Sequence, residues 1–551
     1  MRLWIRALAY RLVALKAGFQ LAWYRLGVRL GKVHGRLGWR GRARTMRHSV
    51  ASVTDCVVNP LRKLASQTVI YGLTSILGRF LNYLLVPLYT YTFPAAAYGV
   101  VSEFYAYAGF FAVFLTFGLE TGYFRFRNRA DGSAQAAYPA ALGFVLLANL
   151  LFVGLIVGFR QPLATLLQYP SHPEYLLWFG LILAIDAIAS LPFARLRAEE
   201  RAWRFAGIKL TEIFVAIGLN LLFLVGMPKL AALWPENPLV RLYDPAMGVG
   251  YIFLANLIAS GFKLVLLLPQ FVGFRFRAGV PVMRPLLAYS LPMVVIGFAG
   301  MINEMLDRAI LKYLLPYDLD TNLRMLGIYG ACYKLSILMT LFIQAFRYAG
   351  EPFFFAYAGR ADAPRAYATV MRYFVIFCVF IFLLVTLFLD LFKYFIGEEY
   401  REGLGIVPIL LLANLFLGIY VNLSIWYKLT DRTGLGAWVS VLGAMLTIGL
   451  NIWWIPLFGY AGSAWATLAC YGGMTLLSWG LGRHYYPVPY PVGRIVFYLI
   501  LGVGLYGLDR EFVGFCGWHP VKTGAGLLAI YLLVVAVADG RPLLRRRPAA
   551  A

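Results

Sequence analysis

The sequence predicts an all-α polytopic membrane protein of about fourteen transmembrane helices, arranged as two six-helix lobes plus two C-terminal helices. Composition, the spacing of apolar stretches and the distribution of basic residues predict this class. Of the 551 residues, 61% are hydrophobic and only 14% are charged, and the mean hydropathy is +0.72. Soluble proteins have roughly 45–50% apolar and about 25% charged residues. The composition therefore excludes an ordinary soluble enzyme.

Apolar stretches long enough to cross a bilayer recur along the whole chain. A transmembrane helix needs about 20 mainly apolar residues, and polar or proline-rich segments such as 91–99 and 483–494 separate the candidates. The last two candidates are the weakest, because one is short and rich in glycine. The predicted spans are 66–90, 98–124, 136–159, 174–193, 207–226, 247–272, 286–314, 325–346, 366–390, 404–426, 434–456, 461–481, 495–508 and 524–538.

Lysine and arginine alternate in density between successive loops. If the start of the first span is cytoplasmic, the cytoplasmic segments from Arg62 onward hold 24 Lys and Arg residues, and the opposite loops hold eight. Those eight are Arg160, Lys229, Arg241, Arg324, Lys393, Arg401, Arg510 and Lys522. Cytoplasmic loops of membrane proteins collect such residues, so the split places both termini in the cytoplasm. It also explains much of the formal net charge of +25 without a nucleic-acid partner.

Residues 1–57 differ in composition from the rest of the chain. They carry 12 Lys and Arg residues and one acid, Asp55. Basic residues interrupt every apolar run, so the segment is not a signal peptide. One interpretation is an amphipathic helix on an anionic membrane surface. The composition favours the other, a weakly ordered basic extension ahead of a functional chain that begins near Val57 or Val58.

Two sequence landmarks recur at nearly the same offset. Gly99 and Gly327 are 228 residues apart, and the Gly-Leu-Asn triplets at 218–220 and 449–451 are 231 apart. Six predicted spans separate each pair, so the two halves share one orientation and are related by an axis along the membrane normal. The predicted domains are the extension 1–57, an N-terminal six-helix lobe 58–284, a C-terminal six-helix lobe 285–482, and two extra helices with a basic tail, 483–551.

Three stretches carry a resemblance to a known family. They are 65–126, with Tyr98-Gly99 after Pro94, then DRAILKYLLPYDLDTNLRMLGIYGACYKL (307–335) and NIWWIPLFGYAGSAWATL (451–468). These stretches resemble bacterial polysaccharide flippases of the Wzx type, which belong to the MOP exporter superfamily. The resemblance covers about 62–482 and implies a transporter with a cationic cavity suited to a lipid diphosphate. The loop 315–325 is longer than the family pattern, and residues 1–57 have no counterpart in it.

No motif for covalent catalysis, nucleotide binding or metal binding is present. The sequence lacks a Walker loop, GxGxxG and HExxH. The five cysteines show no CxxC spacing, and the five histidines are scattered. The sequence therefore predicts a protein that is not an enzyme and that needs no cofactor or metal ion.

Ionisable residues inside spans are the candidate functional groups, because they are costly in lipid and usually face a partner or a water-filled cavity. Arg79 lies near the middle of the first span with Asn82 one turn further, and Lys334 lies near the middle of the eighth. We expect them to line a central cavity that binds an anionic cargo; the alternative is an ion pair within one lobe. Asp186 and Lys263 are candidates for the same cavity or for a pair within one half.

Other charges lie closer to the predicted membrane surfaces. Glu304, Asp307, Arg308 and Lys312 share the outer third of the seventh span, where helical spacing brings some of them to one face. They form either a mutually neutralising cluster or an outer gate or ion-coupling site. Lys209 and Glu212 have i,i+3 spacing and are expected to pair.

Two acid and base sets lie at the predicted cytoplasmic ends of related spans. Glu120 is followed by Arg125 at the end of the second span, and Arg347 is followed by Glu351 at the end of the eighth. They are candidates for an inner gate that opens when the lobes rock apart. The alternative is that they are interfacial charges whose side chains reach water.

These observations predict a flippase of the bacterial inner membrane. It would move polyprenyl-diphosphate-linked oligosaccharide by alternating access, for cell-surface polysaccharide, lipopolysaccharide and O-antigen biosynthesis. The expected partners are the lipid bilayer, the lipid-linked cargo, and a polysaccharide polymerase and glycosyltransferases. The alternatives are a cation-coupled multidrug-type exporter and a membrane glycosyltransferase, polymerase or ligase. The longest outer loop, about 227–246, holds no recognisable catalytic pattern.

Overall fold

The computed structural model describes residues 71–127, 133–274, 276–516 and 519–539. The predicted extension 1–57 and the basic tail lie outside the described residues. Within the described ranges the regular structure is helical and contains no strand. The predicted fold class, a helical polytopic membrane protein, is confirmed.

A helical segment lies at each predicted span. The segments are α1 (71–83 and Leu85–Thr92), α2 (Ala95–Thr116 and Leu119–Arg127), α3 (Ser133–Gly158), α4 (Pro173–Ala198), α5 (Ala202–Leu233), α6 (Gly250–Gln270), α7 (Phe276–Leu314), α8 (Leu319–Leu335 and Ile337–Tyr357), α9 (Ala363–Leu387), α10 (Glu398–Leu429), α11 (Thr433–Phe458), α12 (Tyr460–Tyr485), α13 (Val492–Cys516) and α14 (Pro520–Asp539). Short helices at Arg160–Leu166 and Leu389–Phe392 lie in loops.

Fewer helices pass the test of length and apolarity for crossing a membrane than the sequence predicts. Eleven helices of the described chain are long and apolar enough to cross a membrane, and α8 makes twelve if its two segments, bent by 49°, form one span. The described part of α1 and the whole of α12 are not among them. Helix α12 is rich in glycine and packs between α10 and α11, where small residues allow close approach of helices. The count of fourteen spans therefore stays a prediction.

We use α1–α6 as the N-terminal half and α7–α12 as the C-terminal half, following the sequence repeat. The inner end of the bundle is the end that the basic residues assign to the cytoplasm. Within the N-terminal half, α4 packs against α2, α3 and α6, and α5 packs against α6. Within the C-terminal half, α10 packs against α8, α9 and α12, and α11 packs against α12. The predicted division of the chain into lobes stays a prediction.

The two C-terminal helices, α13 and α14, pack against α9 and against each other. Buried Asp539 joins the three at the inner end. Its carboxylate lies 3.0 Å from the guanidinium groups of Arg372 and Arg494 and accepts a hydrogen bond of 2.5 Å from Tyr498. Each of these residues comes from a different helix except Arg494 and Tyr498, which share α13. The cluster therefore fixes the C-terminal pair to the C-terminal half.

Helix α7 packs against both halves. It has 39 residues, which at 1.5 Å per residue is about 58 Å, roughly twice the thickness of the hydrocarbon core. Along its length it contacts α2 and α3 of the N-terminal half and α11 and α12 of the C-terminal half. The sequence prediction assigned this helix to the C-terminal lobe, whereas the structure shows it shared between the two sets of neighbours.

Helices α2 and α8 cross closely near their outer ends. A Cβ atom on Gly99 would lie 2.0 Å from the carbonyl oxygen of Leu323, and one on Gly327 would lie 1.9 Å from that of Ala95. No residue larger than glycine fits either position without moving a backbone. The two glycines that marked the repeat in the sequence therefore face each other where the halves meet.

The outer turns between α1 and α2 and between α9 and α10 are bonded to each other. The Tyr400 hydroxyl donates to the Phe93 carbonyl at 2.8 Å, and the Gly397 amide donates to the Thr90 hydroxyl at 3.2 Å. The Ala95 amide donates to the Glu399 carboxylate at 3.0 Å. Together with the glycine crossing, these bonds hold the two halves together at the outer end.

Candidate functional site

Lys334 lies at the break in α8. The first segment ends at Leu335 and the second begins at Ile337, so Lys334 occupies the last turn of a helix, where free carbonyl groups favour a positive charge. Ser336 fills the break: its hydroxyl donates to the Tyr333 carbonyl at 2.7 Å and accepts from the Asn414 amide at 3.0 Å. A broken helix thus gives a cation a stabilised position deep in the bundle.

Cations from both halves approach one another at this break. Arg79 of α1 and Arg308 of α7 lie close enough to Lys334 for their charges to act on its ammonium group, as does the carboxylate of Glu304. Arg79 is exposed and Lys334 is half-buried. Neither forms an ion pair or hydrogen bond with the residues that the structure describes. The two sequence-predicted cavity cations are therefore brought together, and we call Arg79, Lys334, Arg308 and Glu304 the cationic site.

Arg308 is held rigidly at the edge of the cationic site. Its guanidinium group lies 3.2 Å from the Asp307 carboxylate and 4.1 Å from the centre of the Tyr333 ring, and it donates to the Glu304 carbonyl. Asp307 also accepts a 2.5 Å hydrogen bond from Tyr329. Asp307 is thus fully engaged, and Arg308 contributes a fixed positive charge rather than a free one.

Asn82, the polar neighbour of Arg79, is exposed on the same helix. It forms no hydrogen bond within the described part of the chain. Residues of α1 one turn apart share a face, so Asn82 adds an amide donor and acceptor beside the guanidinium group. Its participation in cargo binding stays a prediction.

The N-terminal half contains its own charge network. Buried Lys263 of α6 lies 2.6 Å from Asp186 of α4 and 2.5 Å from Glu212 of α5, and Glu212 also pairs with Lys209 at 3.2 Å. The expected Lys209–Glu212 pair is present. The two lysines and the two carboxylates of this network balance in charge. Lys263 is only 2% exposed, and both carboxylates that it contacts are used to neutralise it.

Asp186 is the most exposed member of this network. Its side chain is 47% exposed, and besides Lys263 it accepts from the Ser260 hydroxyl at 2.8 Å. Nearby, the Asn256 amide donates to the exposed Tyr105 hydroxyl at 2.8 Å. Of the two predicted cavity candidates in this half, Asp186 presents a carboxylate edge, and Lys263 is enclosed.

A buried ion pair that the sequence prediction missed joins α2 to α7. Glu103 and Lys312 lie 2.8 Å apart, and both side chains are fully buried. Tyr107, Tyr169 and Tyr313 donate hydrogen bonds to the Glu103 carboxylate. Lys312 therefore does not neutralise Glu304 or Asp307, as a mutual cluster in the seventh span would require, because its side chain points to α2.

The predicted inner-gate carboxylates form ion pairs inside their own halves. Glu120 of α2 pairs with Arg197 of α4, and Glu351 of α8 pairs with Lys428 of α10 at 2.7 Å. The partners are 77 residues apart in both cases, and Glu351 follows Glu120 by 231 residues, the offset of the Gly-Leu-Asn triplets. The same bond thus ties equivalent helices in the two halves.

The two arginines of the predicted inner gate do not form ion pairs with its carboxylates. The Arg125 guanidinium lies 4.2 Å from the centre of the Tyr289 ring of α7. Arg347 is exposed and has no ion-pair partner within the described ranges. Neither pairs with the carboxylate close to it in sequence. The inner gate therefore stays a prediction.

The repeat also extends to a buried amide. The Asn220 side chain donates to the Ala216 carbonyl at 2.8 Å, and Asn451, 231 residues later, donates to the Thr447 carbonyl at 2.8 Å. Both side chains are fully buried. The Asn220 oxygen accepts from the Tyr89 hydroxyl at 3.0 Å. The structural equivalence of these residues supports the repeat inferred from their sequence spacing.

Helices α7, α11 and α12 meet in a neutral polar network. The Asn303 amide donates to the Ser440 carbonyl at 3.1 Å and its oxygen accepts from the Thr447 hydroxyl at 3.1 Å, while Tyr471 donates to the Asn303 carbonyl at 3.0 Å. No group of three or more His, Cys, Asp or Glu side chains suited to a metal ion occurs among the described residues.

A crevice of about 500 Å³ opens at the outer end of the C-terminal half. Its walls come from the α7–α8 turn, the start of α10 and the α11–α12 turn, and include Tyr317, Glu402 and Tyr460. No residue of the cationic site lines it. The crevice and the cationic site are therefore separate features of the protein.

Comparison with known proteins identifies the fold. No family model and no curated protein matches the sequence. The lipid II flippase MurJ, in an inward closed conformation, matches with a TM-score of 0.61 and 14% identity over 87% of this chain and 100% of that chain. An inward-facing multidrug resistance transporter of the MATE family of the MOP superfamily matches with a TM-score of 0.55 and 13% identity over 76% of this chain and 94% of that chain.

A further MATE multidrug transporter, DinF-BH, matches with a TM-score of 0.53 and 18% identity over 78% of this chain and 96% of that chain. At these identities the similarity is one of fold. The chain therefore shares its fold with the lipid II flippase MurJ and with these MATE transporters. The finer resemblance to polysaccharide flippases of the Wzx type stays a prediction.

Proposed function

We propose that this protein is a flippase for polyprenyl-diphosphate-linked oligosaccharide in bacterial cell-surface polysaccharide biosynthesis. The diphosphate binds at the cationic site between the halves, the sugars occupy the cavity beside it, and the lipid tail stays in the bilayer. Alternating access then exposes the site to each side in turn.

The approach of unpaired Arg79 and Lys334 from different halves carries this proposal. Each cation costs roughly 2.5–3.5 kcal/mol on insertion scales at the centre of a span, so two cations without a direct ion pair favour a site for an anionic ligand. A diphosphate has enough negative charge to bind both. Guanidinium groups bind phosphate oxygens with two parallel hydrogen bonds.

The fold supports the same function. A lipid II flippase has the MOP-superfamily fold found in this chain, so the fold is compatible with a lipid-linked cargo. The glycan, the bacterial inner membrane, the cytoplasmic termini and cooperation with a polymerase or glycosyltransferases are parts of the proposal that rest on the sequence.

A cation-coupled multidrug exporter is the second candidate. The half-exposed carboxylate of Asp186, beside Tyr105 and Asn256, offers a site for a cationic or protonated compound in the N-terminal half. MATE multidrug transporters share the fold. This function would require Asp186, whereas the flippase requires Arg79 and Lys334.

The deciding experiment is complementation of a flippase-deficient strain at matched membrane levels of each variant. We expect Arg79→Ala and Lys334→Ala to insert normally but to lose export of surface polysaccharide. Arg79→Lys should be partly active, because an ammonium group cannot bind phosphate bidentately. Arg360→Ala removes a positive charge from an exposed inner loop and should be fully active.

Export at the wild-type rate by both alanine variants contradicts the proposed mechanism. Loss of drug resistance on Asp186→Asn, with polysaccharide export unaffected, would instead favour the exporter.

A further inference from the structure

Glu304 is an exposed carboxylate on a membrane-spanning helix. Its α7 neighbours Asn303, Asp307 and Arg308 are buried and hydrogen-bonded. The Glu304 side chain forms no hydrogen bond or ion pair within the part of the chain that the structure describes. An unpaired carboxylate inside a span is costly, so its position needs an explanation.

The backbone at Glu304 is fixed from both sides. Tyr471 of α12 donates to the carbonyl of the preceding residue, Asn303, at 3.0 Å, and Arg308 donates to the carbonyl of Glu304 itself. The Asn303 side chain is anchored to α11. The backbone that carries the Glu304 side chain is therefore fixed. The exposed carboxylate can move only when its own side chain rotates.

Glu304 lies beside the cations of the proposed binding site. Arg308, one turn further along α7, donates to the Glu304 carbonyl. Its guanidinium group lies 4.1 Å from the centre of the ring of Tyr333, the chain neighbour of Lys334. Asp307, the other nearby acid, is committed to Arg308 and Tyr329. Among the described charges of the cationic site, Glu304 is therefore the carboxylate left to balance Arg79 and Lys334.

We propose that Glu304 is the internal counter-ion of the cationic site. In the empty protein its carboxylate balances Arg79 and Lys334, and a bound diphosphate replaces it. This inference rests on the proposed function, since it takes the ligand to be a diphosphate.

The counter-ion has two consequences for transport. It weakens binding of the diphosphate by repulsion, so the cargo can leave after translocation. It also reduces the repulsion between Arg79 and Lys334 in the empty protein, so the two halves can approach each other again without ligand. A site with cations alone would bind tightly and release slowly.

The test is binding of geranylgeranyl diphosphate to the full chain in nanodiscs of uncharged lipid. We expect Glu304→Gln to bind about tenfold more tightly than wild type, a change typical of removing one like charge at short range in a partly solvated site. The same variant should dissociate more slowly and transport less. Glu304→Asp, which keeps the charge, should bind as wild type does.

Glu398→Gln is the matched control. It removes the same charge from the start of α10, at the outer end, where the side chain is 86% exposed, and it should leave the affinity unchanged. If Glu304→Gln is not recovered folded, Glu304→Ala provides the same comparison, because an exposed side chain has few packing contacts to lose.

The outcomes separate this inference from the proposed function. A wild type that does not bind the diphosphate, or that binds equally well after Arg79→Ala and Lys334→Ala, overturns the proposed function and the counter-ion with it. A wild type that binds and depends on those cations, but whose Glu304→Gln variant binds no more tightly, overturns only the counter-ion.

Discussion

At the scale of single residues, the buried cations and the more accessible cations of the bundle differ in their partners. Lys263 and Lys312 are both about 2% exposed and both are paired. Arg79 and Lys334 are accessible and lack an ion-pair partner among the described residues. The first two are held in ion pairs between helices, and the second two are the cations on which the proposed function rests.

The Glu103–Lys312 pair should be important for stability. We expect Lys312→Met to lower the free energy of unfolding by about 3–5 kcal/mol, because it leaves the Glu103 carboxylate buried without a positive partner. The measurement is denaturant-induced unfolding of the purified protein in detergent micelles.

The double variant Glu103→Gln with Lys312→Met should recover part of this loss, since neither charge is then left alone. Lys393→Met removes a lysine from the exposed pair with Asp390 and should cost at most about 1 kcal/mol. Equal effects of Lys312→Met and Lys393→Met would contradict the assignment of a stabilising buried pair.

The sequence shows which charged residues interrupt apolar stretches, but not which residues of distant helices they contact. Arg79 and Lys334 stand out because each interrupts a long apolar stretch. Glu103 lies near the end of its span among tyrosines, and its partner is on another helix far along the chain. Pairing of this kind depends on how helices pack, which local spacing does not encode.

At the scale of helices, the inner ion pairs repeat across the two halves. Glu120–Arg197 joins α2 to α4, and Glu351–Lys428 joins α8 to α10. Neither bond crosses from one half to the other. Each holds two helices of its own half together, as expected of parts that move as units.

A double-mutant cycle can measure the second of these pairs. We expect Glu351→Gln and Lys428→Met to show a coupling of about 0.2–1 kcal/mol in the free energy of unfolding, because both side chains are about 40% exposed and water weakens the attraction. A coupling indistinguishable from zero would mean that the repeated geometry carries no stabilising energy.

The glycine crossing of α2 and α8 should control closure at the outer end. Gly327→Ala places a Cβ against the Ala95 carbonyl, so we expect the helices to separate. A cysteine at Ser102, which lies against Gly330, should then react faster with a membrane-impermeant maleimide.

Gly449→Ala is the control, because a Cβ there meets no atom within 4 Å and alanine is the better helix former. It should leave the labelling rate unchanged. An unchanged rate in Gly327→Ala as well would show that the crossing does not hold the outer end closed.

Helix positions followed from apolar stretches, but helix ends did not. Helix α7 begins at 276, ten residues before the predicted span, because a helix continues through polar and basic residues that a bilayer would exclude. Helix α8 begins at Leu319 because the Asp318 carboxylate accepts from the Thr321 amide, a capping pattern that a search for apolar stretches ignores. The break at Ser336 has no apolar signature either.

At the scale of the whole molecule, composition and the alternation of basic loops predicted a polytopic membrane protein, and the fold agrees. The lipid II flippase MurJ has a similar fold at 14% identity, so few identical residues accompany the shared fold. The relative position of the halves could not be predicted, because it depends on contacts such as the glycine crossing and the outer turns.

The orientation of the protein can be tested with single cysteines in intact cells. We expect a cysteine at Asp318, in the exposed turn between α7 and α8, to react with a membrane-impermeant reagent. One at Arg360, in the exposed turn between α8 and α9, should react only after the cells are permeabilised. The opposite pattern would contradict the topology derived from the basic residues.

The long helix α7 has a consequence for how the protein unfolds. Near its outer end it is bound to the N-terminal half through Lys312 and Glu103, and about two and a half turns further in it is bound to α12 through Asn303 and Tyr471. Neither half can melt without disrupting a helix on which the other depends. The two halves should therefore lose their structure in a single cooperative transition, even though each repeats the other's internal contacts.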